Sequence, residues 1–186
     1  SACLVGSEMC IRDSYFHETL FTPEGAAALS YLQGRGLNAK IIRHFGLGCA
    51  PNRWDGLLRH MRQKGYSEAE LVNANLARRS DKNGRTSCYD NFRNRMMIPI
   101  IDLRGNVIAF GGRVLDDAKP KYVNTSDTLV YKKSQAIFAL NFAKSANQGK
   151  LILAEGYMDV IAYHQAGFTN AVACLGTALT REQARL

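Results

Sequence analysis

LILAEGYMDVIAYHQAGFTNAVACLG, residues Leu151 to Gly176, carries a strand–helix–strand pattern. Leu151-Ile152-Leu153-Ala154 is a short apolar strand that ends on Glu155 and then Gly156. Met158–Gln165 has helical spacing, Gly167 turns the chain, Ala171–Leu175 is a second apolar strand, and a further helix is expected from Thr180. This is a βαβ unit. Strands apolar throughout are the pattern of parallel strands covered on two faces. In open parallel sheets ligands bind beyond the carboxyl ends of the strands, which is where Glu155 falls. Asp159 follows one helical turn later, so an i, i+4 spacing sets both acids on one side. Two readings stay open from spacing alone. The acids are solvated caps at a helix start, or they hold a magnesium ion, which takes a few carboxylate oxygens and further ligands from substrate phosphates. Two acids make an incomplete set, and more are expected from later strands.

Upstream the pattern is different. Pro23-Glu24 opens a helix with apolar residues Ala26, Leu29 and Leu32, which Gly34-Arg35-Gly36 ends. Asn38 caps a short helix carrying Ile41, Ile42 and Phe45. Gly46 and Gly48 stop it, and Ala50-Pro51 marks a loop. Trp54–Arg62 and Ser67–Asn73 read as two more helices, the second with a capping box from Ser67 to Glu70. Asp81-Lys82-Asn83-Gly84 is a turn signal. Met96–Asp102 and Val107–Val114, separated by a glycine turn, read as a β-hairpin, with Pro99 marking an edge or a bulge. Asp116–Thr128 is polar and turn-rich, and Ser134–Ala146 shows helical spacing at Ile137, Leu140 and Phe142. Residues 1–13 match nothing that follows and read as an expression scar or assembly artefact.

The chain has 186 residues, 46% of them hydrophobic, and a formal net charge of +8. Between Arg78 and Lys133 there are twelve lysines and arginines against six acids. Such an excess is either a solvated basic surface or a track for phosphates. Five scattered cysteines form no CxxC pair, which argues against a zinc ribbon or a disulfide framework and fits a reducing cytoplasm. No apolar run reaches membrane-spanning length, and residues 1–14 lack the pattern of a secretory signal. The four histidines show no ligand spacing. Cys174 reads as an inert core thiol, and Trp54 as a helix-packing anchor.

Glu155-Gly156-Tyr157-Met158-Asp159-Val160, set between these two strands, resembles the glutamate motif of TOPRIM domains. Within that superfamily the chain is most similar to the bacterial replicative primases. The ordered stretches Tyr31–Leu37, His44–Gly48, Phe92–Ile100, Phe110–Leu115, Pro120–Asn124 and Tyr131–Lys133 support the resemblance over about residues 14–186. It implies an α/β chain, with a mixed α+β primase subdomain over residues 14–148 and an incomplete parallel TOPRIM unit over 149–186. It implies RNA primer synthesis on a single-stranded DNA template from ribonucleoside triphosphates, with Mg2+ or Mn2+ as cofactor. Glu155 would be the metal ligand or base and Asp159 its supporting acid. Arg93, Arg95, Arg113, Lys121, Tyr122, Asn124 and Lys133 would line the template and nucleotide groove. An Asp-x-Asp pair, a zinc-binding domain and a C-terminal domain that binds the replicative helicase would lie outside this chain, which is therefore expected to be inactive alone. The expected location is the cytoplasm, at the replication fork, with no membrane partner.

Two rivals remain. Another TOPRIM enzyme, a nuclease or topoisomerase, would degrade nucleic acid or need a tyrosine nucleophile from a separate domain. A non-catalytic single-strand-binding module would bind without magnesium.

Overall fold

The computed structural model describes residues 15–82, 84–175 and 179–186. The readings placed on residues 1–13, on Asn83 and on Gly176-Thr177 lie outside the described residues. In chain order the first half has α1 (Tyr15–Leu20), α2 (Ala26–Gly34), α3 (Ala39–His44), β1 (Gly48–Ala50), α4 (Gly56–Gln63) and α5 (Glu68–Asn73). Then come β2 (Ala77–Lys82), β3 (Arg85–Asp90), β4 (Arg95–Ile101), β5 (Val107–Val114) and β6 (Tyr122–Asn124). The last part has β7 (Ile137–Phe138), α6 (Leu140–Ala146), β8 (Ile152–Ala154), α7 (Tyr157–Gln165) and β9 (Ala171–Cys174). Among the described residues no helix is long and apolar enough to cross a membrane.

The helix starts follow local chemistry. Asn38 Oδ1 accepts from the Ile41 amide at 2.9 Å. Ser67 and Glu70 close the capping box at the start of α5. The start of α4 is held from a distance: buried Asp90 accepts from the Leu57 and Leu58 amides at 2.8 and 3.0 Å. Trp54 lies outside that helix and is exposed, stacked on Tyr89 at 4.6 Å rather than anchoring a helix pair. In α2 Leu32 is buried and Leu29 packs half-buried against the same core, as expected, together with buried Ala28, while Ala26 is exposed.

The central sheet runs β1-β4-β5-β6, antiparallel throughout. From Met96 onward β4 is buried on both faces. Met96, Ile98 and Ile100 point into the larger core, shared with α2, α3 and the C-terminal unit, while Met97 joins a second core under α1, α4 and α5. This strand divides two cores, so its sequence is a continuous apolar run. Pro99 fits because β1 pairs only with Arg95–Met97. Its partner Phe110 spends its amide and carbonyl on Thr125, so the missing N–H of Pro99 faces the open side beyond β1. Pro99 itself pairs in register with Phe110, and the register shifts beyond it, between Ile100 and Ile101.

Four strands of the first 124 residues were not anticipated. β1 is only three residues long, and β6 lies within the polar Asp116–Thr128 stretch. β2 and β3 pair around the Asp81–Gly84 turn, but their largely polar sequences carry no apolar alternation.

The C-terminal sheet has the order β7-β9-β8. β8 and β9 are parallel and joined through α7, as expected, and β7 adds an antiparallel edge. Ile137 is thus in a strand and not in the helix predicted over Ser134–Ala146; it pairs with Cys174 because its side chain is needed against Val172 and Leu140. β8 is not covered on two faces: it sits at the sheet edge with Leu151 and Leu153 about half exposed. The helix expected from Thr180 is a loop with one 3₁₀ turn at Gln183–Arg185. Gln183 Nε2 donates to the Ala136 carbonyl at 2.8 Å, and this side-chain bond takes the place of continued helix.

Candidate functional site

β8 ends at Ala154, Glu155 follows, and Gly156 leads into the first turn of α7, where Asp159 sits. Both acids line one cleft of about 390 Å³. Gly156 keeps the floor between them open: the nearest atom to a Cβ placed there is Asp159 Oδ2, at 3.7 Å. Both carboxylates are exposed, and neither has a hydrogen bond or ion pair among the described residues. They are oxygen donors not committed to a protein cation.

The opposite wall comes from the first 148 residues. Arg113, Lys121, Tyr122 and Asn124 line the same cleft, brought together by the β5–β6 pairing in which Arg113 lies opposite Tyr122. Tyr31 and Arg35 of the α2 end complete this wall. No role was assigned to them from sequence, although their i, i+4 spacing places them on one helix face. Arg113 Cζ lies 4.1 Å from the Tyr31 ring centroid, and Arg113 Nη1 donates to the Val114 carbonyl at 2.9 Å. Burial pushes the Tyr122 phenol above its ordinary value, so it stays protonated.

Tyr157 crosses between the walls. It stands between the two acids in sequence, yet its Oη donates to Asn124 Oδ1 at 2.9 Å. Burial raises its phenol far above the ordinary range. The space beside the Gly111-Gly112 pair is filled by protein. A Cβ at Gly111 would come within 3.0 Å of the Tyr157 ring. One at Gly112 would lie 2.9 Å from Phe92 and 3.0 Å from Arg95.

Three expected groove residues are elsewhere. Arg95 runs under the sheet edge, donating to the Gly112 and Pro120 carbonyls at 3.2 and 3.3 Å, and burial lowers its pKa. Arg93 donates to the Asp90 carbonyl and packs over Trp54 and Tyr89, at 4.8 and 5.1 Å from their centroids, forming a second aromatic and cationic surface. Lys133 starts a 3₁₀ turn whose amide is held by Asp127 Oδ1 at 3.0 Å. Arg93 precedes β4, Arg95 opens it and Lys133 lies in a 3₁₀ turn, so the basic residues are divided among different surfaces.

The acid pair fits a hard cation that takes oxygen ligands and keeps several waters. It is a partial set: among the described residues no group of three or more His, Cys, Asp or Glu could hold a metal ion. With three bases facing two acids, the cleft is arranged for a polyanion that brings oxygen ligands of its own.

Comparison with known proteins places the family. Residues 15–144 match the family described as DNA primase catalytic core, N-terminal domain, and residues 149–186 match the Toprim domain. A DNA primase of Deinococcus radiodurans is 52% identical over 174 residues, covering 92% of this chain and 29% of that protein. A DNA primase of Clostridium acetobutylicum is 48% identical over 173 residues, covering 92% and 28%. The chain thus spans less than a third of these relatives. Among solved structures, the DnaG primase catalytic domain bound to ssDNA superposes with a TM-score of 0.83 at 38% identity, covering 92% of this chain and 53% of that one. The RNA polymerase domain of Mycobacterium tuberculosis DnaG, in complex with a double-stranded DNA oligomer with a 6-nucleotide overhang, gives 0.85 at 39%, covering 92% and 54%.

Proposed function

This chain belongs to the DNA primase family, and from that premise we propose that it supplies part of an enzyme that makes short RNA primers on single-stranded DNA. The reaction is nucleotidyl transfer from ribonucleoside triphosphates. One observation carries this reading: two unpaired carboxylates, Glu155 and Asp159, face Arg113 and Lys121 across a single cleft.

In this reading residues 149–186 contribute the acids and residues 14–148 the bases. Glu155 and Asp159 hold a divalent ion, Mg2+ or Mn2+, which when bound neutralises charge developing on the phosphate oxygens. Arg113 and Lys121 grip the triphosphate, Arg113 through its planar donor pair. Tyr122 offers a ring face to a base. Arg93, with Trp54 and Tyr89, forms a sequence-tolerant surface for the template strand, since every base has a face to stack. Arg95 and Lys133 contribute by holding the segments around this groove. Work at a replication fork in the cytoplasm, with a helicase engaged through a region outside this chain, completes the proposal.

The test is Glu155→Gln in the full-length protein. Incorporation of labelled ribonucleotides on single-stranded DNA should fall at least about a hundredfold, because the neutral amide no longer holds the ion. Unchanged incorporation would remove Glu155 from the site. Degradation of the template without incorporation would favour a nuclease.

A further inference from the structure

Tyr157 is 8% exposed. Its ring packs edge-on against Phe138 at 4.9 Å and lies 6.1 Å from Tyr122. A buried phenol needs an acceptor for its proton. Among the described residues the acceptor is Asn124 Oδ1, at 2.9 Å. An asparagine amide can turn either its oxygen or its NH2 toward a neighbour. Were it flipped, Nδ2 would meet Tyr157 Oη, and the phenol proton would lose its partner. The phenol therefore selects one amide orientation. Asn124 lines the cleft, and its two Nδ2 hydrogens have no partner among the described residues.

We propose that Tyr157 is a positioning residue: it locks the Asn124 amide so that the cleft meets a donor there, which binds an acceptor oxygen of the incoming nucleotide. This rests on the nucleotide-binding reading above. It also gives Tyr157 a reason to lie between the two acids, since the turn that carries Glu155 and Asp159 is thereby tied to the wall that selects the substrate. The acceptor oxygen belongs to the ribose 2′-hydroxyl or to a phosphate.

The experiment is a double-mutant cycle with Tyr157→Phe and Asn124→Ala in the full-length protein. It measures equilibrium binding of MgATP and of Mg-2′-dATP, with melting temperature and primer synthesis alongside. Tyr157→Phe keeps the ring and its packing. Alone it should weaken MgATP binding by about tenfold, the scale of one lost hydrogen bond. In the Asn124→Ala background it should weaken binding no further, because a residue that acts only through Asn124 has nothing left to orient. A loss confined to MgATP assigns the oxygen to the 2′-hydroxyl, and an equal loss for both nucleotides assigns it to phosphate.

The same weakening in both backgrounds, or none in either, overturns the inference. If primers are made and the cycle is additive, the inference alone fails. If nucleotides bind with the expected cycle and no primers form, the activity fails and the inference stands. A wild-type protein that binds neither nucleotide overturns both.

Discussion

The Arg113 guanidinium carbon sits 4.1 Å from the centroid of Tyr31, so a strand and a helix some eighty residues apart in sequence build one wall of the cleft. The ring restrains the guanidinium from below while the cleft face stays free for a phosphate. Arg113→Lys removes both the stacking plane and the paired donors. Affinity for MgATP should fall about tenfold, with a stability loss under about 1 kcal/mol. Nucleotide titration and thermal melting check the two separately.

Asp90 caps a helix from outside it, accepting from both Leu57 and Leu58 amides. Asp90→Ala leaves two amides without acceptors and should cost about 2 kcal/mol in denaturant unfolding. The pH dependence is the reverse of a surface carboxylate. Burial raises Asp90 to about 6 from an ordinary 3.8. Between those values the folded state binds more protons than the unfolded one, so this group's contribution declines as pH rises through that interval. Asp90→Asn should remove that part of the slope.

His44 and His164 meet at 6.4 Å around Phe45 and Phe142. Burial lowers both below the ordinary 6.5, aided at His44 by His164 and Lys40 and opposed at His164 by its bond to the Ala171 carbonyl. The unfolded chain therefore takes up protons first on acidification. Stability from the pair is complete above 6.5 and is lost as pH falls below it. His164→Leu should cost about 1 kcal/mol at neutral pH, for the lost bond to Ala171. Its unfolding midpoint should then fall less on acidification than that of wild type.

Gly48 lets α1 lie directly on β1. A Cβ there would fall 2.6 Å from the Phe16 carbonyl carbon and 2.7 Å from its oxygen. These are backbone atoms and cannot swing aside, so Gly48→Ala should cost about 3 kcal/mol in chemical unfolding. The test separates contact from flexibility, since Gly48 is not at positive φ.

The βαβ unit, the capping box at Ser67 and Glu70, the Asn38 cap and the central hairpin were all legible in the sequence. Each depends on residues within a few positions of one another, and hydrogen bonds and helical periodicity at that range are written in spacing. The same range placed Glu155 and Asp159 at one mouth. β2 and β3 were not legible, because their largely polar sequences carry no hydrophobic alternation. Ile137 was misplaced because an apolar residue just ahead of a helix has the same local look in a helix or a strand.

The amino-acid sequence by itself determined that a short apolar strand is followed by two acids with a glycine between them, and that basic residues cluster between Arg78 and Lys133. Only the tertiary structure decided which bases those acids face. Arg93, Arg95 and Arg113 look alike in sequence, yet one lies over Trp54, one holds the Gly112 and Pro120 carbonyls, and one rests on Tyr31 inside the cleft. The gap at Gly111 was likewise taken by Tyr157 from the other end of the chain. The reason is physical: close packing fills each space with whatever side chain the long-range fold brings nearest, and neighbours in sequence hold no record of that choice.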